Sequence, residues 1–339
     1  MHLIFMRAPR SIFLLDPANL NLVFAPAALA EIRRITASEM EVQDRESILA
    51  DPTAFADVEI VFSSWGVAVL DSEILAAMPR LRAVFHAAGT VRSFVTDAFW
   101  NRGILLTSSF PANAIPVAQY TVATIVLSLK KAWTYSRRLS HGKLRERRHE
   151  LARGVYFGSK VGIVSLGAVG RHVCELLRGF DLEVVGYDPY ASREEFAALG
   201  VEKMDTLEEL FASCSVVSLH SPSLPETEGL ITGALLASLP TGATFINTAR
   251  GEIVQESEMI SVLKERSDLF AVIDVVEQDK FGTSELAQME NVFLTPHIAG
   301  SIGSECYRMG AMAVDECRRF LQNQPPIARV TQESMKLMA

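Results

Sequence analysis

Val161-Gly162-Ile163-Val164-Ser165-Leu166-Gly167-Ala168-Val169-Gly170 is a short apolar strand that runs into a glycine-rich turn and then into a helical pattern over Val169 to Arg178. In that setting, glycine at 167 lets the main chain approach a pyrophosphate and glycine at 170 lets helix and strand pack closely. The helix amino end adds unpaired N–H groups and a positive dipole, which makes Gly167, Ala168, Val169 and Gly170 cofactor-binding candidates. Ser165 stands where such a turn usually has its first glycine, and a serine there requires backbone torsions open to ordinary residues. The segment Gly186-Tyr187-Asp188-Pro189-Tyr190 ends the next strand, with Asp188 eighteen residues beyond Gly170. Asp188 is placed to accept hydrogen bonds from both hydroxyls of a ribose and to repel a 2′-phosphate, so NAD is expected over NADP. Arg193 lies close enough to blur that exclusion, and a solvent-facing turn aspartate before proline is the alternative for Asp188.

Outward from this unit the alternation of strand and helix continues. Strands are expected near Val161 to Leu166, Glu183 to Tyr187, Ser215 to Leu219, Ala243 to Asn247, Leu269 to Asp274 and Asn291 to Leu294, the pattern of a doubly wound nucleotide-binding sheet. An earlier series runs through Glu59 to Ser63, a helix from Asp71, Leu81 to Phe85, a helix near Thr96 and Gly103 to Leu106, again a parallel sheet. Asn113 to Lys131 reads as a long apolar helix, introduced by Pro111 and Pro116, of the kind that lies in a domain or subunit interface. Arg137 to Arg153 holds seven Lys/Arg against Glu146 and Glu150 and reads as a surface connection, and Glu305 to Leu321 reads as a last helix.

The 339 residues suit two domains at roughly 150 residues each. A net charge of −8 with 49% hydrophobic residues describes a folded globular chain and argues against nucleic-acid binding. Cys174, Cys214, Cys306 and Cys317 form no CxxC pair, which suggests reduced thiols in a cytoplasmic protein and no structural metal site. The apolar run Ser11 to Leu15 stops at Asp16, too soon for an export signal. Ile104 to Leu129 carries no charge, yet Pro111, Asn113, Pro116 and Gln119 interrupt it, and no membrane span is expected.

Four further segments carry chemistry: Val217-Ser-Leu-His220-Ser221-Pro222, Ile246-Asn-Thr248-Ala249-Arg250-Gly251, Ile273-Asp274-Val-Val-Glu277-Gln-Asp279 and Thr295-Pro296-His297-Ile-Ala299-Gly300. Arg250 precedes Asp279 by 29 residues and Asp279 precedes His297 by 18. In these motifs and their spacing the chain resembles the D-isomer-specific 2-hydroxyacid dehydrogenases, from about Leu81 through the carboxyl-terminal helix. The resemblance implies an α/β fold of two doubly wound parallel-sheet domains, in which a Rossmann NAD-binding domain (113–300) is inserted into a flavodoxin-like substrate domain (1–112 and 301–339). It also implies a homodimer, hinge closure between the domains, and interconversion of a 2-keto acid with a D-2-hydroxy acid, in the manner of a glyoxylate or hydroxypyruvate reductase.

Such a reduction needs a proton for the carbonyl oxygen, a hydride for its carbon and positive charge for the carboxylate. His297 is the candidate general acid, because imidazole titrates near neutrality and can give and retrieve a proton. Arg250 is the candidate carboxylate clamp and carbonyl polariser. Asp274 is expected to receive the nicotinamide carboxamide, and Thr248, Ala249, His297 and Gly300 to line the cofactor. His220, Ser221 and Pro222 are expected on its adenine or ribose side, with His220 structural rather than acid-base. Asp279 replaces the family's usual Glu as partner of His297, and Glu277 is the alternative partner.

His86-Ala-Ala88-Gly89-Thr90-Val91-Arg92-Ser93 resembles the family's carboxylate-binding loop, making Gly89, Thr90 and Val91 substrate-binding through backbone N–H groups. Val91 and Ser93 stand where a glycine and an aspartate are common, and Arg92 is either a second anion anchor or a solvated arginine. Asn113 either approaches substrate or caps its helix, and Gln119-Tyr120 replaces the more usual Glu-His. Two other functions share the fold: a dinucleotide-sensing corepressor-like protein, and a dehydrogenase of formate or phosphite.

Overall fold

Buried apolar runs alternating with helices give thirteen strands in two sheets among the described residues of the computed structural model, which are 8–140, 156–277 and 280–338. The chain divides into two units, Met1–Asn113 with Ser301–Ala339, and Ala114–Gly300.

In the first unit β1 (Arg10–Leu14), β2 (Ala37–Gln43), β3 (Val58–Ser63), β4 (Ala83–His86) and β5 (Leu105–Ser108) pair in parallel in the order β5-β4-β3-β1-β2, the flavodoxin-like winding. Both faces are covered, as a parallel sheet requires. Alternate residues supply two separate cores: Leu14, Val61 and Val84 pack on one side, Phe13, Phe62 and Phe85 on the other. Ring centroids 5.7 Å apart link Phe13 to Phe62 and Phe62 to Phe85, so the second core is stitched across three strands.

In the second unit β6 (Ser159–Val164), β7 (Leu182–Tyr187), β8 (Glu202–Lys203), β9 (Val216–Leu219), β10 (Thr244–Asn247), β11 (Phe270–Ile273) and β12 (Val292–Leu294) form an all-parallel sheet in the order β12-β11-β10-β9-β6-β7-β8. The order reverses between β6 and β9, the place where doubly wound sheets open a crevice for ligands. In the first unit β13 (Arg329–Val330) adds the single antiparallel edge, beside β5.

The long apolar helix differs from its sequence reading. It starts at Phe110 rather than Asn113, runs to Leu129 rather than Lys131, and holds Pro116 within it. By length and composition it is long enough to cross a membrane. Its Ala118, Val122, Ile125 and Leu129, however, pack against Val161 and Ile163 in the core of the second unit. Most of the basic run Arg137 to Arg153 lies outside the described residues.

Two buried histidines end central strands or follow them. Burial pushes His86 down from 6.5 to about 3 against the raising effect of its hydrogen bond to the Thr90 backbone, and burial alone does the same to His220. Both stay neutral in the folded chain where the unfolded chain takes up protons. Their contribution to stability is therefore complete above about pH 6.5 and is lost as pH falls towards 3. Replacing one, as in His220→Asn, is expected to flatten the acid limb of Tm against pH. Parallel limbs for variant and wild type would contradict this.

Candidate active site

The register of the second sheet sets Tyr187, Val164, Leu219, Asn247, Ile273 and Leu294 side by side. One step further along each strand stand Asp188, Ser165, His220, Thr248, Asp274 and Thr295, residues of the motifs read from the sequence. The ladder carries on into that row. Ser165 N donates to Tyr187 O at 2.8 Å, and His220 N, Asp274 N and Thr295 N donate to Val164 O, Asn247 O and Ile273 O, each at 2.9 Å. Segments up to 130 residues apart in the chain thus emerge at one level of one sheet edge.

On this row the dinucleotide turn is built from close approaches. The helix Ala168–Leu177 is capped by Gly167, which makes no side-chain cap bond, so the N–H groups of Ala168, Val169 and Gly170 face the turn. A side chain at Gly167 would meet nothing within 4 Å, whereas a Cβ at Gly170 would lie 2.1 Å from Ser165 O. The first position is open to a phosphate, and the second admits only glycine. Ser165 departs from expectation: its φ of +76° is left-handed, a region that disfavours side chains. Its hydroxyl lies 2.7 Å from that of Ser221, which ties the strained turn to the segment after β9.

Asp188 is more heavily engaged than its sequence role suggested. Oδ1 accepts from Tyr190 N at 2.7 Å and Ala191 N at 3.0 Å, and Oδ2 accepts from Leu166 N at 2.8 Å. Of roughly four acceptor positions on a carboxylate, one on Oδ2 remains for a ribose hydroxyl. Arg193 pairs with Asp205, its other contact being Lys203 O. His220 Nε2 lies 3.0 Å from Ser218 Oγ, and Pro222 O accepts from Thr227 Oγ1 at 2.6 Å. Open helix amides beside a partly free carboxylate fit the pyrophosphate and ribose of a dinucleotide.

Two turns carry the candidate acid and clamp. Asn247, which the sequence reading passed over, bridges the first: Nδ2 donates to Arg250 O and Oδ1 accepts from Ala249 N, both at 2.9 Å. Arg250 Nη1 donates to Ala249 O at 2.7 Å. A Cβ at Gly251 would come 2.1 Å from the carbonyl carbon of Val276, so this turn lies directly on the backbone that follows β11. Thr248 Oγ1 lies 3.1 Å from Thr121 Oγ1.

The second turn is organised by Asp274, which is fully buried. Its Oδ1 accepts from the Thr295 hydroxyl at 2.6 Å and Ile298 N at 2.9 Å, its Oδ2 from Ala299 N at 2.8 Å, and its carbonyl from His297 N at 2.9 Å. His297 itself has a left-handed φ of +55°. Asp274 therefore shapes the histidine turn, a role beyond the nicotinamide contact expected of it. Glu277 is exposed, and its N–H donates to Glu256 Oε2 at 3.1 Å. Asp279 lies outside the described residues.

In the first unit the loop after β4 is held from below. Ser108 Oγ lies 2.9 Å from Ala88 O and 2.5 Å from Gly89 O, and His86 Nδ1 lies 2.9 Å from Ser63 Oγ. Val91 is buried in the core, which leaves only its backbone to serve a ligand. Arg92 is exposed, and its guanidinium donates to Met338 O at 2.9 Å and Met335 O at 2.5 Å. Asn113 lies within its helix rather than capping it, and its Oδ1 accepts from Ser301 N at 2.9 Å.

The family model for the NAD binding domain of D-isomer specific 2-hydroxyacid dehydrogenases matches residues 122–299, just over half of the chain. The (S)-sulfolactate dehydrogenase of Chromohalobacter salexigens is 30% identical over 299 residues, covering 87% of this chain and 95% of that protein. The D-3-phosphoglycerate dehydrogenase of Mycobacterium tuberculosis is 29% identical over 306 residues, 88% of this chain but 56% of the relative, so the chain spans about half the length of such relatives. The apo structure of Rhodotorula graminis D-mandelate dehydrogenase superposes with a TM-score of 0.78 at 25% identity, over 96% of this chain and 98% of that one.

Gly170→Ala is expected to weaken NADH binding at least tenfold, since the added methyl drives residue 170 and the helix amino end away from Ser165. Ser165→Gly exchanges a left-handed serine, costing ~1 kcal/mol, for the loss of one hydroxyl bond worth about as much, and is expected to leave stability nearly unchanged. Fluorescence titration and thermal melts measure both, and equal NADH affinity in Gly170→Ala and wild type would contradict the first.

Proposed function

The chain belongs to the D-isomer-specific 2-hydroxyacid dehydrogenases, and on that premise we propose that it reduces a small 2-keto acid, of the glyoxylate or hydroxypyruvate kind, to the D-2-hydroxy acid. The observation that carries this reading is the common row of strand ends, from which the Arg250 and His297 turns both spring. Arg250 binds the substrate carboxylate with its guanidinium fork and polarises the neighbouring carbonyl. His297 delivers its proton to the carbonyl oxygen and retrieves it in the reverse direction. NADH, when bound, supplies the hydride that adds to the carbonyl carbon, which balances the proton. Gly167 to Gly170, Asp188 and the His220 to Pro222 segment bind the dinucleotide, and Asp274 orients its nicotinamide end. Gly89, Thr90 and Val91 offer backbone N–H groups to the substrate, and Asp279 is the assigned carboxylate partner of His297.

The same proposal includes a cytoplasmic homodimer with no membrane span. Four buried, unpaired cysteines suit a reducing compartment, and burial pushes Cys174 and Cys317 up to about 12, leaving them unreactive thiols. Leu139 and Phe157 are exposed at 61% and 83%, apolar surface that a second copy would cover. Light scattering is expected to give twice the chain mass, and a monomeric mass at micromolar concentration would overturn the dimer.

Purified protein with NADH is expected to turn over glyoxylate or hydroxypyruvate, with far slower rates on bulkier keto acids and no oxidation of formate or phosphite. His297→Gln is expected to lower kcat by about 10²–10⁴-fold with NADH affinity retained, and Arg250→Lys to raise the KM for the keto acid. NADH binding with no turnover of any keto acid would favour a sensor instead.

A further inference from the structure

Tyr120 and Thr121 are neighbours on the helix Phe110–Leu129, and neither has been given a function above. Each sends its hydroxyl to a different turn of the candidate site. Tyr120 Oη lies 3.0 Å from Thr295 Oγ1, two residues before His297, and Thr121 Oγ1 lies 3.1 Å from Thr248 Oγ1, two residues before Arg250.

The direction of the first bond follows from counting protons. The Thr295 hydroxyl has one, and it is donated to Asp274 Oδ1 at 2.6 Å. Thr295 Oγ1 can therefore only accept from Tyr120, giving a one-way chain from phenol to hydroxyl to carboxylate. Donation from the phenol strengthens the donation of the threonine in turn. Burial pushes the Tyr120 phenol up, with the Thr295 bond lowering it and the Asp274 charge raising it, so the donor stays protonated throughout the working pH range. The chain ends on the carboxylate that also accepts Ile298 N and Ala299 N, the amides just after the left-handed His297. A residue in that backbone conformation persists only where its surroundings over-determine it.

We propose that Tyr120 and Thr121 are positioning residues that brace the His297 and Arg250 turns from one helix. The inference rests on the roles proposed above for His297 and Arg250, and it assigns the two braces to separate kinetic parameters. Tyr120 acts on proton delivery and Thr121 acts on carboxylate binding.

The nearly isosteric variants Tyr120→Phe and Thr121→Val separate the two. Tyr120→Phe is expected to lower kcat about tenfold and leave the keto-acid KM and NADH Kd within twofold. Thr121→Val is expected to raise the keto-acid KM with little change in kcat, and Thr121→Ser and Thr295→Ser, which keep the hydroxyls, to behave as wild type. Adding Thr295→Val to Tyr120→Phe is expected to cost less than the product of the single effects, because both break one chain. Amide exchange at Ile298 and Ala299 is expected to quicken in Tyr120→Phe. If both single variants leave kinetics unchanged, or both lower the same parameter in step with Tm, the proposal is overturned. If wild type turns over no keto acid, the functional reading fails, and unchanged exchange at Ile298 and Ala299 would then overturn the Tyr120 brace on its own.

Discussion

Burying a carboxylate is costly unless its oxygens find donors, and Asp274 finds three without leaving the interior. Two of them are consecutive main-chain amides of the turn that presents His297, and the third is the hydroxyl of the residue where that turn begins. Satisfying the buried group and shaping the turn are one event. A left-handed histidine is thereby tolerated, because relaxing it would strand donors and acceptor together in a dry environment. The remainder of the second unit supports this arrangement by bringing β11 and β12 to the same level.

That level is a property of the sheet rather than of any loop. Parallel pairing fixes which residues stand abreast, and the hydrogen-bond ladder continues one step past the last strand residues. Glycines then allow the layers above the edge to touch. Gly170 presses on Ser165 and Gly251 on Val276, backbone to backbone, at separations no side chain survives. The candidate residues on this edge are positioned by rigid elements, with only short turns intervening.

Much of the fold was legible because parallel strands buried on both faces are dense apolar runs, and the six expected in the second unit are present within a residue or two at most ends. β2 (Ala-Ser-Glu-Met-Glu-Val-Gln) escaped notice because an edge strand is half solvated and reads as polar. The helix expected over Asn113 to Lys131 is present, with its start displaced to Phe110 and its end to Leu129. The motifs named candidate site residues but not their bonding. Nothing local tells that Asp188 will spend three acceptor positions on backbone amides, or that Ser165 will adopt a glycine-like torsion. Tyr120 stood out only as an exchange within a motif. Its partner lies 175 residues away, a separation that only the folded chain resolves.

The bond from Ser301 N to Asn113 Oδ1 joins the residue at which the chain leaves the first unit to the residue at which it returns. The whole of 114–300 is thus a detour whose exit and entrance sit a side chain's length apart. Closing so narrow a gap with a few residues carries little loop entropy. The five parallel strands of the first unit all precede the detour, so its sheet is laid down by one continuous stretch of chain, and only the β13 edge waits for the return.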